Sequence, residues 1–121
     1  MTTTVAALVC DLMFLSRIRE AASASGLEVR AARSSADLLE AANGARLVIV
    51  DLDDRRASAT AAVNALRARP ETAALPVIGF FSHVHAERAR DAVRAGCTRA
   101  LPRSVFVEQL AEILNEARGT S

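Results

Sequence analysis

Five short apolar runs recur along the chain, at Val5–Cys10 (VAALVC), Leu27–Ala31 (LEVRA), Leu47–Val50 (LVIV), Pro76–Phe81 (PVIGFF) and Thr98–Leu101 (TRAL). Most are rich in β-branched residues and read as strands. Between and after them lie alanine-rich stretches with helical spacing, at 13 to 25, 35 to 43, 58 to 69, 84 to 95 and 105 to 118. In the last of these Val105, Phe106, Leu110, Ile113 and Leu114 fall at threes and fours, which gives one buried stripe. Strict alternation of strand and helix selects an α/β architecture: a parallel sheet, right-handed crossovers and helices on both faces. The first, third and fourth strands are continuous apolar runs, as central strands covered on both faces must be, whereas the second alternates as an edge strand does. Ser35, Ser58 and either Ser82 or His83 are placed to cap helix N-termini, and Gly26, Gly44 and Gly96 to follow helix C-termini.

At 121 residues, 51% of them hydrophobic, the chain suffices for one domain with its own core, expected to span 1–121 with no output domain. Its 15 basic and 14 acidic residues nearly cancel, which argues against a nucleic-acid footprint or binding to an anionic membrane surface. Every basic residue is Arg, and there is no Lys. Four Phe and no Tyr or Trp leave base-stacking platforms poorly supplied. Cys10 and Cys97 make no disulfide framework, and no apolar run is long enough for a leader peptide or a bilayer span, so a soluble, cytoplasmic protein is expected.

In an open α/β sheet, ligands bind beyond the carboxyl ends of the strands, where the strand order reverses. The first and third strands flank that point, and they end in Cys10-Asp11 and in Asp51-Leu52-Asp53-Asp54. Phe81-Ser82-His83 after the fourth strand and Arg103 after the fifth should face the same crevice. Carboxylates gathered there repel one another unless a cation lies between them, and oxygen ligands with open positions suit Mg²⁺. Asp51 is then a candidate nucleophile toward phosphorus; the plainer reading is that these acids are solvated loop residues.

With these residues in place, the chain resembles the receiver domains of bacterial two-component response regulators, the fold of the chemotaxis response regulator. The resemblance runs from about Val5 to Ile113 and rests on six features. They are LVCD ending at Asp11, Gly26 before the second strand, LVIVD ending at Asp51, ALPVI at the fourth strand, AVRAG ending at Gly96, and the final amphipathic helix. It implies a flavodoxin-like, doubly wound sheet of five strands in the order 2-1-3-4-5 with five helices. It also implies that Asp51 accepts a phosphoryl group from a histidine kinase or phosphotransfer protein, and that Asp11, Asp51 and the backbone carbonyl of Asp53 hold Mg²⁺. Such domains are signalling modules, not enzymes.

The departures bear on that switch. The first acid of the metal-binding pair is Cys10, a poor ligand for Mg²⁺, so the metal should bind weakly or not at all. The hydroxyl residue that grips the phosphoryl group falls on Phe81. Ser82 substitutes for it only if the strand is shifted or bulged, because adjacent side chains point to opposite faces. The phosphoryl-binding Lys falls on Arg103, which keeps the charge but replaces a compact ammonium with a planar fork. Asp54-Arg55-Arg56 and Ala59 replace the usual residues after the acceptor, Ala100 stands where an aromatic switches rotamer, and Pro102-Arg103-Ser104 rearranges the usual Lys-Pro pair.

The expected function is thus a stand-alone receiver-like module of a phosphorelay with an incomplete switch. The alternative is a pseudo-receiver that acts as an interaction adaptor without phosphorylation. Contact with a partner, or with a second copy in a homodimer, would run through the face of the fourth helix, fifth strand and fifth helix, or through a rim on the first helix. Leu12-Met13-Phe14-Leu15 cannot all be buried on one helix face, so Met13 and Phe14 either form a contact patch or lie partly under the third strand's loop. Cys10, Asp11 and His83 in a zinc-like set match no recognised spacing, and His85 adds none. A flavin or nucleotide site is disfavoured by the lack of a glycine-rich loop after the first strand and of a ring to sandwich a flavin. Cys97 is expected to be an inert core residue.

Overall fold

The computed structural model describes residues 3–54 and 58–119, the side chain of His83 excepted. Strands β1 (Thr3–Leu8), β2 (Leu27–Ala32), β3 (Leu47–Asp51), β4 (Val77–Phe81) and β5 (Arg99–Pro102) alternate with helices α1 (Leu12–Ala24), α2 (Ser35–Ala42), α3 (Ala59–Arg67), α4 (Ala86–Ala95) and α5 (Arg103–Gly119). The strands form one parallel sheet in the order β2-β1-β3-β4-β5, as the alternation and the resemblance imply. β2, with its alternating burial, is one edge.

Strand periodicity divides the core into two layers. Val5, Ala7, Ile49, Ile78 and Phe80 face α1 and α5, meeting Phe14, Leu15, Ile18, Phe106, Leu110 and Leu114. Their alternates Ala6, Leu8, Val48, Val50, Val77 and Phe81 face the other way, meeting Leu38, Val63, Leu66 and Ala92 of α2, α3 and α4. Each central strand therefore supplies both layers, which is why it reads as an unbroken apolar run.

The helix ends follow local chemistry, with two differences from expectation. Ser34, not Ser35, caps α2, its Oγ accepting from Asp37 N at 3.1 Å, and Ser58 caps α3 through Ala61 N at 3.2 Å. Neither Ser82 nor His83 caps α4. A single 3₁₀ turn, His83–His85, precedes that helix, and His85 occupies its cap position without its side chain bonding the helix's first amides. α4 ends at Gly96, whose φ of 117° is open to glycine and strained for other residues. The Arg67 guanidinium fastens this end of the sheet, donating to the carbonyls of Gly96, Ala73 and Leu75 at 2.9, 2.9 and 2.7 Å. Cys97 is buried and donates to the carbonyls of Val77 and Arg99; burial pushes its thiol pKa up. No helix among the described residues is long and apolar enough to cross a membrane.

Gly79 links this core to the carboxyl edge of the sheet. A Cβ there would lie 2.9 Å from Leu52 Cγ and Cδ2, and Leu52, the residue after Asp51, is itself buried. Gly79→Ala is expected to cost about 1–3 kcal/mol through overpacking, seen as a lower urea midpoint. An unchanged midpoint would show that Leu52 is free to move aside.

Candidate functional site

β1 and β3 are neighbours in parallel register, Val5 opposite Leu47 through Leu8 opposite Val50, so their carboxyl ends open on the same side of the sheet. Asp51 closes β3 and is 1% exposed. Its carboxylate receives the backbone N–H of Asp53 at 2.9 Å on Oδ1 and the Cys10 thiol at 3.5 Å on Oδ2. Burial raises the Asp51 pKa above its ordinary value. The Asp53 amide, the Cys10 thiol and the charge of Arg103 act in the opposite direction, while the Asp53 carboxylate adds to the rise.

Asp11 is exposed and serves as the N-cap of α1. Oδ1 accepts from Met13 N at 3.0 Å and Phe14 N at 3.1 Å, and Oδ2 lies 3.4 Å from Arg103 Nη1. The amides, foremost that of Phe14, and the guanidinium hold its pKa below the usual carboxylate value against some desolvation. Arg103, the first residue of α5, lies over the rings of Phe14 and Phe80, at 4.6 and 5.3 Å from their centroids. Its hydrogen bond goes to Asp11, and its influence on Asp51 is electrostatic.

Asp53 turns its side chain the other way. Oδ2 accepts the Ser82 N–H at 2.7 Å; Oδ1 accepts from Arg88 Nη1 at 2.9 Å and lies 3.0 Å from His85 Nδ1. One carboxylate thus ties the β3 loop to the segment that joins β4 to α4. Sequence reasoning placed Asp53 at a metal through its backbone and missed this clamp. The available signal was the pair His85 and Arg88, spaced three apart on one face at the start of a helix.

β4 pairs with β3 without a bulge, Phe80 opposite Asp51, and the shift that would turn Ser82 into a phosphoryl ligand is not seen. Phe81 is buried in the second layer, and Ser82 takes part through its backbone. Ala100 is half-buried on β5. Phe14 is buried at 8% exposure, its ring 4.7 Å from Phe80 and 6.0 Å from Phe106, and it does not belong to an exposed patch. Within the apolar run 12–15 the exposed residues are Leu12 at 76% and Met13 at 85%. The reason is helical geometry: Phe14, Ile18 and Ala22 share the inward face, which leaves the two preceding residues outside. Arg55 and Arg56 lie outside the described residues, as does the His83 side chain of the zinc-like set.

The side chains expected at a cation are engaged with protein groups in this arrangement: Asp11 with the α1 cap and Arg103, Asp51 with an amide and a thiol, and the Asp53 carboxylate, though not its backbone carbonyl, with the clamp. Among the described residues no group of three His, Cys, Asp or Glu side chains is placed to hold a metal ion. The site as built is a buried carboxylate beside a thiol, flanked by a guanidinium and closed on one side by a clamped loop.

No protein-family model matches the chain, and no curated protein sequence does. Solved structures do match in fold. A response regulator receiver domain protein of Clostridium thermocellum superposes with a TM-score of 0.79 at 23% identity, covering 95% of this chain and 93% of that one. A chemotaxis response regulator of Vibrio cholerae gives 0.79 at 19%, covering 97% and 99%. A chemotaxis-regulator-like receiver domain protein of Methanospirillum hungatei gives 0.74 at 16%, covering each chain completely. The fold is that of response regulator receiver domains.

Replacing Asp53 by Ala should release the 82–88 segment. The Ser82 amide is expected to lose hydrogen-exchange protection, with a stability cost of about 1–2 kcal/mol, since the Arg88 and His85 contacts are partly solvent-screened. Unaltered exchange at Ser82 would contradict the clamp.

Proposed function

We propose that the chain is a receiver-like signalling module of the bacterial two-component kind that works by protein contact, with Asp51 a slow or dispensable phosphoacceptor. The observation that carries this reading is the state of Asp51. A phosphoacceptor attacks as an accessible carboxylate, whereas Asp51 is 1% exposed, with one oxygen held by the Asp53 amide and the other by the Cys10 thiol. Cys10 stands where a second acid would assist Mg²⁺, and no group of three His, Cys, Asp or Glu side chains among the described residues is placed to hold a metal ion.

Readout is reduced as well. Phe81 offers the phosphoryl group no donor, Ala100 has no rotamer to switch, and Asp53 anchors the loop that such a switch would have to move. Contact surfaces remain. Leu12 and Met13 project from the start of α1 beside the crevice, and Val93 is exposed on α4 near β5. These suit a histidine kinase, a phosphotransfer protein or another signalling protein, or a second copy of the chain.

The test is incubation with Mg²⁺ and acetyl phosphate, followed by intact-mass measurement. Wild type is expected to stay largely unmodified, and Cys10→Asp, which supplies a second oxygen ligand, to take up more label. Rapid, stoichiometric phosphorylation of wild type at Asp51, abolished by Asp51→Asn, would overturn the proposal.

A further inference from the structure

Beside the Asp51 site lies a groove of about 690 Å³ between α1 and the start of α5, lined by Phe14, Arg17, Ser82, Arg103, Ser104 and Val107 among others. Its size falls in the range of small-molecule pockets, where apolar walls and a few convergent polar groups are the rule. Two guanidiniums and two hydroxyls open onto it, no acidic side chain lines it, and Phe14 and Val107 contribute carbon surface. The positive ends do not cancel locally. Arg103 shares its charge with Asp11 at 3.4 Å, while Arg17, exposed on α1, makes no ion pair or hydrogen bond with any described residue. Arg103 and Ser104 also open α5, whose helix dipole adds to the same positive field.

We propose that this groove binds a small amphipathic anion: one carboxylate or phosphate head seated between Arg17 and Arg103, with an apolar body laid along Phe14 and Val107. The planar fork of arginine matches both head groups, and a head group alone leaves the carbon surface uncovered. Neither Asp51 nor its phosphorylation takes part, so this inference stands apart from the proposed function. A ligand held here would lie against Phe14, whose ring packs at a tilt on Phe80 in the core, and against the exposed Arg17 of α1. Occupancy would then change the surface offered to a partner.

The test is a titration of ¹⁵N-labelled protein with phenyl phosphate and, separately, 4-phenylbutyrate. Inorganic phosphate and benzyl alcohol isolate the head and the body. Saturable amide shifts are expected at Phe14, Arg17, Ser82, Ser104 and Val107 with one or both probes, and the tighter probe identifies the head group. Arg17→Gln should weaken that binding about tenfold, the loss of one charge-assisted contact, with no change in thermal midpoint because Arg17 is exposed. Absent or scattered shifts, equal affinity in Arg17→Gln, or either control matching the amphipathic probes would overturn the proposal.

Discussion

The site depends on the parallel pairing of β1 and β3. Because Ala7 and Leu8 lie beside Ile49 and Val50, the chain leaves both strands at the same edge, and residues forty apart in sequence share one hollow. Cys10 and Asp51 meet there, at 3.5 Å. A thiol is a weak donor and carries no charge to balance a carboxylate. The hollow therefore holds a buried acid supported first by a backbone amide, then by that thiol, and only then by the more distant charge of Arg103. Neighbouring groups are drawn elsewhere, Asp11 to the α1 cap and Asp53 to the β4–α4 segment.

Arginine takes several of the structural roles in this lysine-free chain. Arg67 binds carbonyls at the amino end of the sheet, Arg88 completes the Asp53 clamp, and Arg103 lies across two phenylalanine rings. At Arg67 the guanidinium spans several carbonyls and at Arg103 it lays a flat face on the rings, a planar stacking that an ammonium does not provide. Arg103 lies over Phe14 and Phe80 and bonds to Asp11, so its effect on Asp51 is through charge alone.

Much of this was legible in the sequence. Alternating apolar runs gave the sheet, continuous against alternating hydrophobicity distinguished the central strands from the β2 edge, and the strand ends located the crevice. The failures were in side-chain direction. Phe14 sits in a run of four apolar residues, and nothing in that run alone says that its ring would join Phe80 and Phe106 rather than solvent. Asp53 lies among three nearby acids, and its partners are about thirty residues away, beyond any local pattern. Ser34 and Ser35 are equivalent as caps until the backbone selects one. Such choices are settled by tertiary packing, which local propensity does not encode.

The state of the Asp51 carboxyl tests this account most directly, by ¹³C NMR titration of its Cγ in folded protein with Asp51→Asn to assign the signal. Burial raises its pKa, so the midpoint should lie above the ordinary carboxylate value of 3.8 and above that of Asp11, which should titrate below it. By linkage, the folded state is then favoured while Asp51 is protonated, and that contribution is lost as pH rises through its folded midpoint. An Asp51 midpoint at or below 3.8 would mean that the Asp53 amide, the Cys10 thiol and Arg103 outweigh burial, and the account of an enclosed acid with weak support would be wrong.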